Sequence, residues 1–453
     1  MKLKTMLYGE TYSFNNIKEI LAKANEKKSG DTLAGVGAQS DLERVAAKVV
    51  LADLTVKDIT ENPVVDYEKD SVTRIILDDL DKEIYETVKG LTIGDLREYI
   101  LDSSTTSNEL LHLSKGLSSE VIAAVCKLMS NLDLMYVSSR FDITAHCNTT
   151  IGKNGTFSSR LQPNHPTDSV KGVTSSLLEG LSYGIGDAVL GLNPAVDTLE
   201  STSNILNLFN DVKTRLEIPT QICVLSHITT QMKALENGVA MDLCFQSIAG
   251  SEISLNSFGV TTDMLKEAND MMKELSNAEG PNYMYFETGQ GSELSSNGHN
   301  GADQQTMEAR CYGLARHYKP FLVNTVVGFI GPEYIYDTKE LIRAALEDNF
   351  CGLMHGLPMG CDICYTNHMK ADQNDVDSLL VMLASSGCRY VMGVPQGDDI
   401  MLMYQSTGFH DIATVREMLG KRPIKEFELW LEKYGIMENG KLTKRAGDPT
   451  LFL

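Results

Sequence analysis

The chain has 453 residues, 42% of them hydrophobic and 22% charged, which leaves room for one large barrel plus an appended piece and excludes a generally disordered chain. Forty Lys and Arg against 61 Asp and Glu give a formal charge of −21, a balance that repels phosphate backbones, argues against a nucleic-acid partner and tolerates a small cationic substrate. No run approaches the roughly 20 apolar residues of a membrane span, the N-terminus lacks the apolar core of a secretion signal, and the nine scattered cysteines read as reduced, buried thiols; a cytoplasmic protein without a membrane partner is expected.

Residues 1–140 carry helical periodicity at 17–28, 72–89, 96–101 and 118–129, with cap signals at Ser40/Glu43 and Thr92/Asp95. Nothing in them has catalytic spacing, and they read as a helical accessory domain for packing or assembly. From about residue 150 short apolar strands alternate with amphipathic stretches. The expected strands are 157–162, 188–193, 221–227, 243–247, 283–287, 322–329, 352–357 and 390–393, with helices at 170–181, 204–216, 262–275, 303–317, 338–347, 375–383 and 412–419. Such alternation calls for a parallel sheet, and eight strands predict an α/β fold, a (β/α)8 TIM barrel over 141–422 that holds the active site; an open doubly wound sheet is the alternative. Residues 423–453 form a C-terminal helix, with the only tryptophan, Trp430, and a polar tail.

In such a barrel the loops after the strands form the active face, so polar residues at strand ends are the candidates. The stretch 282–301 opens as an aromatic strand, reaches Glu287 and breaks into glycines and serines. Arg160 and Gln162 alternate onto one side of the first strand, Asn193-Pro194 and Gln246-Ser247 end the second and fourth, and Asp362 follows the expected seventh. Two carboxylates, an arginine and amides in a mouth lined by Val326, Phe329, Met392 and Leu402 suit a small polar cation, because a buried ammonium needs anionic partners. Cys361-x-x-Cys364 with His368 has zinc-like spacing but no second pair, so no metal is expected; Gly289-x-Gly291 is an incomplete phosphate fingerprint.

Tyr-Phe-Glu-Thr-Gly-Gln-Gly-Ser at 285–292, Met-Glu-Ala-Arg at 307–310, Tyr-Gly-Leu-Ala-Arg-His-Tyr at 312–318, the run 321–334 and Leu-Thr-Lys-Arg-Ala-Gly-Asp-Pro at 442–449 resemble the large subunit of ethanolamine ammonia-lyase. The resemblance implies an adenosylcobalamin-dependent radical lyase that converts ethanolamine to acetaldehyde and ammonia, a small subunit that completes a hetero-oligomer, and location in the cytoplasm or in a bacterial microcompartment. It also implies that Arg160, Gln162, Asn193, Glu287 and Asp362 bind substrate, with Glu287, Arg160 and Asp362 taking part in catalysis, and that Pro194, Gln246, Ser295 and Met401 contact the cofactor. The chain lacks Asp-x-His-x-x-Gly, the lower-ligand motif of enzymes that replace the cobalamin's own base with histidine, so a base-on cofactor is expected. A cofactor-free barrel lyase or aldolase acting on a small amino alcohol would need a lysine inside the barrel, and none of the expected strands carries one. A non-catalytic scaffold would leave the convergent polar set unexplained.

Overall fold

The computed structural model of the chain describes residues 3–453. Eight strands, β1 (Ser158–Leu161), β2 (Val189–Leu192), β3 (Ile222–Val224), β4 (Cys244–Ser247), β5 (Met284–Thr288), β6 (Leu322–Val327), β7 (Met359–Ile363) and β8 (Tyr390–Gly393), form one parallel sheet. Its order is β3-β2-β1-β8-β7-β6-β5-β4, so chain neighbours are spatial neighbours all the way round. Closure between β3 and β4 comes from the Leu243 N–H, which donates to the Ile222 carbonyl at 3.3 Å, while the Ile222 N–H donates to Asp242 Oδ2 at 2.9 Å. The strands are buried on both faces, because side chains fill the interior and helices cover the outside.

Each strand is followed by a helix: α1 (Val170–Ser182), α2 (Leu199–Leu216), α3 (Ile228–Glu236), α4 (Thr262–Leu275), α5 (Gln304–Tyr318), α6 (Thr338–Met354), α7 (Gln373–Ser385) and α8 (Phe409–Leu419). Their starts are written in the sequence as side-chain caps. Ser169, Thr198, Thr261, Asp303, Asp337 and Asp372 each accept a backbone N–H from the first turn. Helix α3, only nine residues long, was not among the sequence expectations.

The seventh strand is displaced from its expected place. Residues 352–354 complete α6, the chain turns at Gly356 with φ +75°, and the strand runs over Met359–Ile363. The cause is burial: α6 is enclosed on nearly all sides, so its end shows no polar face and reads like a core strand.

What encloses α5 and α6 is the N-terminal region. Helix Ser119–Lys127 is buried along its whole length beside them, and helix Asn131–Ser139 packs on α6. The contact is held by ion pairs as well as apolar side chains. Arg310 of α5 donates to Glu120 at 2.5 Å and to Asp70 at 2.9 Å; Lys127 pairs with Asp303 at 2.8 Å; Lys28 and Arg343 meet Glu347 at 2.6 and 2.7 Å. A polar face on α5 therefore marks an internal contact and not solvent. The region is also not wholly helical: it opens with a hairpin, Lys4–Leu7 with Glu10–Ser13, turning at Tyr8-Gly9 with both φ angles positive. The expected 72–89 helix is two, Ser71–Asp78 and Lys82–Val88, because Asp81 caps the second by accepting the Glu83 and Ile84 N–H groups. At the other end of the chain, helix Lys425–Lys433 is pinned by the Trp430 indole N–H donating to the Leu216 carbonyl at 2.8 Å. Among the described residues no helix is long and apolar enough to cross a membrane.

Candidate active site

The barrel points its polar strand ends into one cavity of about 430 Å³. Arg160 on β1 is fully buried and reaches across to β5, which lies opposite. Its Nη1 donates to Glu287 Oε1 and to the Tyr285 hydroxyl, both at 2.7 Å, and its Nη2 donates to Asn193 Oδ1 at 2.8 Å. The Tyr285 hydroxyl donates to the same Glu287 Oε1 at 2.6 Å, and Asn324 Nδ2 adds a third donor at 3.2 Å. Oxygen Oε1 is thereby saturated, whereas Glu287 Oε2 takes no hydrogen bond from a described residue. Burial presses the Arg160 pKa down, but Tyr285 and Glu287 beside it more than offset this, and the guanidinium stays charged.

Asp362, on β7, accepts from the Tyr404 hydroxyl at Oδ2 (2.7 Å) and from the Ser406 hydroxyl at Oδ1 (2.6 Å). Burial pushes its pKa up to about 6, against the pull of those two hydroxyls and with a further push from the charge on Glu287. Gln162 donates from Nε2 to Asp399 Oδ2 at 2.6 Å and to the Tyr404 oxygen at 3.1 Å. Its Oε1 is buried with no partner among the described residues, as is Asn324 Oδ1. On the polar half of the cavity Glu287 Oε2 is the acceptor left open to whatever enters it, with the buried Gln162 Oε1 behind it. Phe245, Val326, Phe329, Met392 and Leu402 line the other half.

All five residues expected to bind substrate, Arg160, Gln162, Asn193, Glu287 and Asp362, line this one cavity. Of the four expected at the cofactor, Gln246 lines it too, with Oε1 accepting the Ile228 N–H at 3.0 Å. Pro194 and Met401 lie in the loops after β2 and β8, and Ser295 ends the short helix Ser292–Ser295 after β5, all outside the cavity wall; Ser295 is exposed and Met401 half-buried. The segments after β2, β4, β6 and β8, at the same mouth, expose Val196, Ile253, Phe329, Ile400 and Met403, an apolar rim. Sequence reasoning missed Tyr285, Asn324, Asn164, Asp399, Tyr404 and Ser406. Tyr285 was within reach, since it stands two residues before Glu287 and so on the same side of the strand. Asp399, Tyr404 and Ser406 lie in the segment after β8, mostly irregular apart from short two-residue strand pairings, where no periodicity points anywhere.

Cys364 donates its thiol to the Val327 carbonyl at 3.1 Å and His368 is exposed. Among the described residues, the grouping of potential ligand atoms close enough to share an ion is Glu293, Glu308 and Cys311, all buried. Burial pushes the pKa of each of the two carboxyls upward.

The family model described as "Ethanolamine ammonia lyase large subunit (EutB)" matches residues 12–445. The chain belongs to the ethanolamine ammonia-lyase large-subunit family. It is 56% identical over 452 residues to the ethanolamine ammonia-lyase large subunit of Escherichia coli (strain K12), covering 100% of both chains. The same identity and coverage hold for the large subunit of Salmonella typhimurium (strain LT2). By family, then, this ammonia-lyase chain is an enzyme that breaks a carbon–nitrogen bond, and the words "large subunit" imply a smaller partner chain.

Proposed function

We propose that this chain is the catalytic subunit of an adenosylcobalamin-dependent lyase that converts ethanolamine to acetaldehyde and ammonia. The observation that carries the reading is the charge of the cavity. Arg160 is matched against Glu287, while Asp362 and the more exposed Asp197 stand as further carboxylates in the same lining, so the cavity carries an excess of negative charge that a substrate ammonium offsets. The free Glu287 Oε2 and the unpartnered Gln162 Oε1 are the acceptors such a cation, with its N–H donors, requires.

The residues also fit the cofactor. Ethanolamine fills only about 100 Å³ at ~30 Å³ per water-sized group, so the cavity has space left for part of a second, larger group. The exposed apolar rim suits the face of a flat macrocycle, which Pro194, Gln246, Ser295 and Met401 would hold at the mouth. When bound, adenosylcobalamin supplies hydrogen abstraction from an unactivated carbon through cobalt–carbon homolysis, chemistry no side chain here can perform. Both ring nitrogens of His227, the histidine in the cavity wall, are engaged, Nδ1 with Thr229 Oγ1 at 2.8 Å and Nε2 with the Phe258 carbonyl at 3.2 Å. That engagement, with the missing Asp-x-His-x-x-Gly, supports a base-on cofactor.

The chain's own residues bind, orient and keep dry. Glu287 and Asp362 hold the ammonium and the hydroxyl, Gln162 and Asn193 fix the carbon skeleton between them, and the Arg160 guanidinium polarises the substrate oxygen as the nitrogen migrates or leaves. Phe245, Val326 and Phe329 keep bulk water from the reacting carbons. The small subunit would complete the mouth in a hetero-oligomer; placement in the cytoplasm or a microcompartment rests on the family likeness alone. A cofactor-free aldolase has little support, since no lysine among the described residues lines the cavity.

The test is anaerobic electron paramagnetic resonance on the purified chain with its small subunit, adenosylcobalamin and ethanolamine, run beside an acetaldehyde assay. Cobalt(II) and organic-radical signals with product are expected. Bound cofactor with neither signal nor product would point to another substrate, and failure to bind cobalamin would overturn the reading.

A further inference from the structure

We infer that Asp399 is a positioning residue that dictates which end of the Gln162 amide meets the substrate. The inference rests on the binding role proposed for Gln162. Asp399 is buried in the loop after β8, and an ionised carboxylate can only accept hydrogen bonds. Its Oδ2 accepts from Gln162 Nε2 at 2.6 Å and from Asn164 Nδ2 at 2.7 Å. Both amide groups therefore turn their NH2 ends toward Asp399. A flipped Gln162 would set oxygen against oxygen at that distance and leave the Tyr404 hydroxyl without its donor, so the amide has one allowed orientation.

With both N–H bonds of Gln162 spent on Asp399 and Tyr404, Oε1 is left buried and unpartnered in the residue that lines the cavity. The substrate meets an acceptor there and never a donor. The same logic runs through Asn164: its NH2 is taken by Asp399, so its Oδ1 accepts the Asn193 N–H at 2.8 Å and fixes the residue that in turn receives Arg160. Asp399 Oδ1 accepts the Met401 and Leu402 N–H groups at 3.1 and 2.8 Å, and Leu402 is part of the cavity wall. One carboxylate thus ties the orientation of a substrate-binding amide to the seating of the loop over the mouth.

The test is a double-mutant cycle on the complete enzyme with small subunit and cofactor, read both as KM and as equilibrium binding of ethanolamine. Asp399→Asn, which can turn its NH2 toward Gln162 and flip it, should weaken binding and raise KM by about tenfold or more. In a Gln162→Ala background the same change should matter several-fold less, since the amide it controls is gone and only its ties to Asn164 and the loop remain. Gln162→Glu alone sets two carboxylates face to face and should weaken binding; adding Asp399→Asn restores a donor opposite the introduced carboxylate, at the wild-type net charge, and should recover most of the loss. Equal effects of Asp399→Asn in both backgrounds, with no recovery in the exchange, would mean that Asp399 merely holds the loop, and the inference falls. Should Asp399→Asn alone not fold, the exchange pair against Gln162→Glu still decides. Wild-type enzyme that binds ethanolamine without turning it over sinks the proposed function while the binding cycle still judges Asp399; wild-type enzyme that does not bind it sinks both.

Discussion

Arg160 and Glu287 are joined across the barrel, from β1 to the opposite strand β5, by a 2.7 Å ion pair that saturates one oxygen of Glu287 and spares the other. The pair is both a structural tie through the barrel core and a device that aims a carboxylate oxygen at the cavity. Glu287→Gln separates the roles, because an amide oxygen still accepts from Arg160 while the anion is lost. Turnover should fall by about 10²- to 10³-fold, as for loss of one charged transition-state partner, with cofactor binding retained. Steady-state kinetics beside a cobalamin-binding titration measure this; near-normal turnover would remove Glu287 from the mechanism.

Asp362 gives the site a pH dependence whose sign is fixed by its environment. Burial lifts its pKa to about 6, so it is protonated below that and ionised above. If the ionised form accepts from the substrate, kcat/KM should rise with pH through an inflection near 6 and then level. Asp362→Asn should flatten that limb; a wild-type profile without an inflection between pH 5 and 7 would exclude Asp362 as the titrating acceptor.

Tyr404→Phe deletes the hydroxyl that donates to Asp362 at 2.7 Å, one of the two hydrogen bonds that hold the carboxylate's pKa down. The inflection should therefore move to higher pH, and activity at pH 7 should drop more than activity at pH 8.5. A uniform loss at all pH values would show that Tyr404 only packs.

Glu347 is fully buried between Lys28 and Arg343. Burial alone would raise its pKa, but the two cations overcome this and bring it to about 2. A carboxyl depressed in the folded state contributes stability that is present above its unfolded value, about 4.3, and is lost as pH falls toward 2. Glu347→Gln, which strands two buried cations, should cost about 3–5 kcal/mol at pH 7. The loss should shrink on acidification, which urea denaturation at pH 7 and pH 3 reads directly. Because Lys28 belongs to the N-terminal region, limited proteolysis there should also quicken.

The barrel was legible because short apolar runs such as Val-Leu-Gly-Leu at 189–192 alternate with amphipathic stretches, although the caps at Thr198 and Asp372 start their helices earlier than the expected 204 and 375. Polar residues at the ends of such strands stand out by contrast, and Arg160, Gln162, Asn193, Glu287 and Asp362 were visible for that reason. Their pairing was not. Which oxygen of Glu287 is spent, that Asp399 and Tyr404 flank Gln162, and that Arg310 meets Glu120 and Asp70 while Glu347 meets Lys28 depend on segments far apart in the chain. A residue's own neighbours carry no record of those distances. The seventh strand shows the same limit, since a helix enclosed on all sides loses the polar face that would distinguish it from a strand. Local chemistry decided where elements begin and which side chains face inward. Long-range closure of the barrel alone decided which of those inward groups share a hydrogen bond, and so which atoms remain free for a substrate.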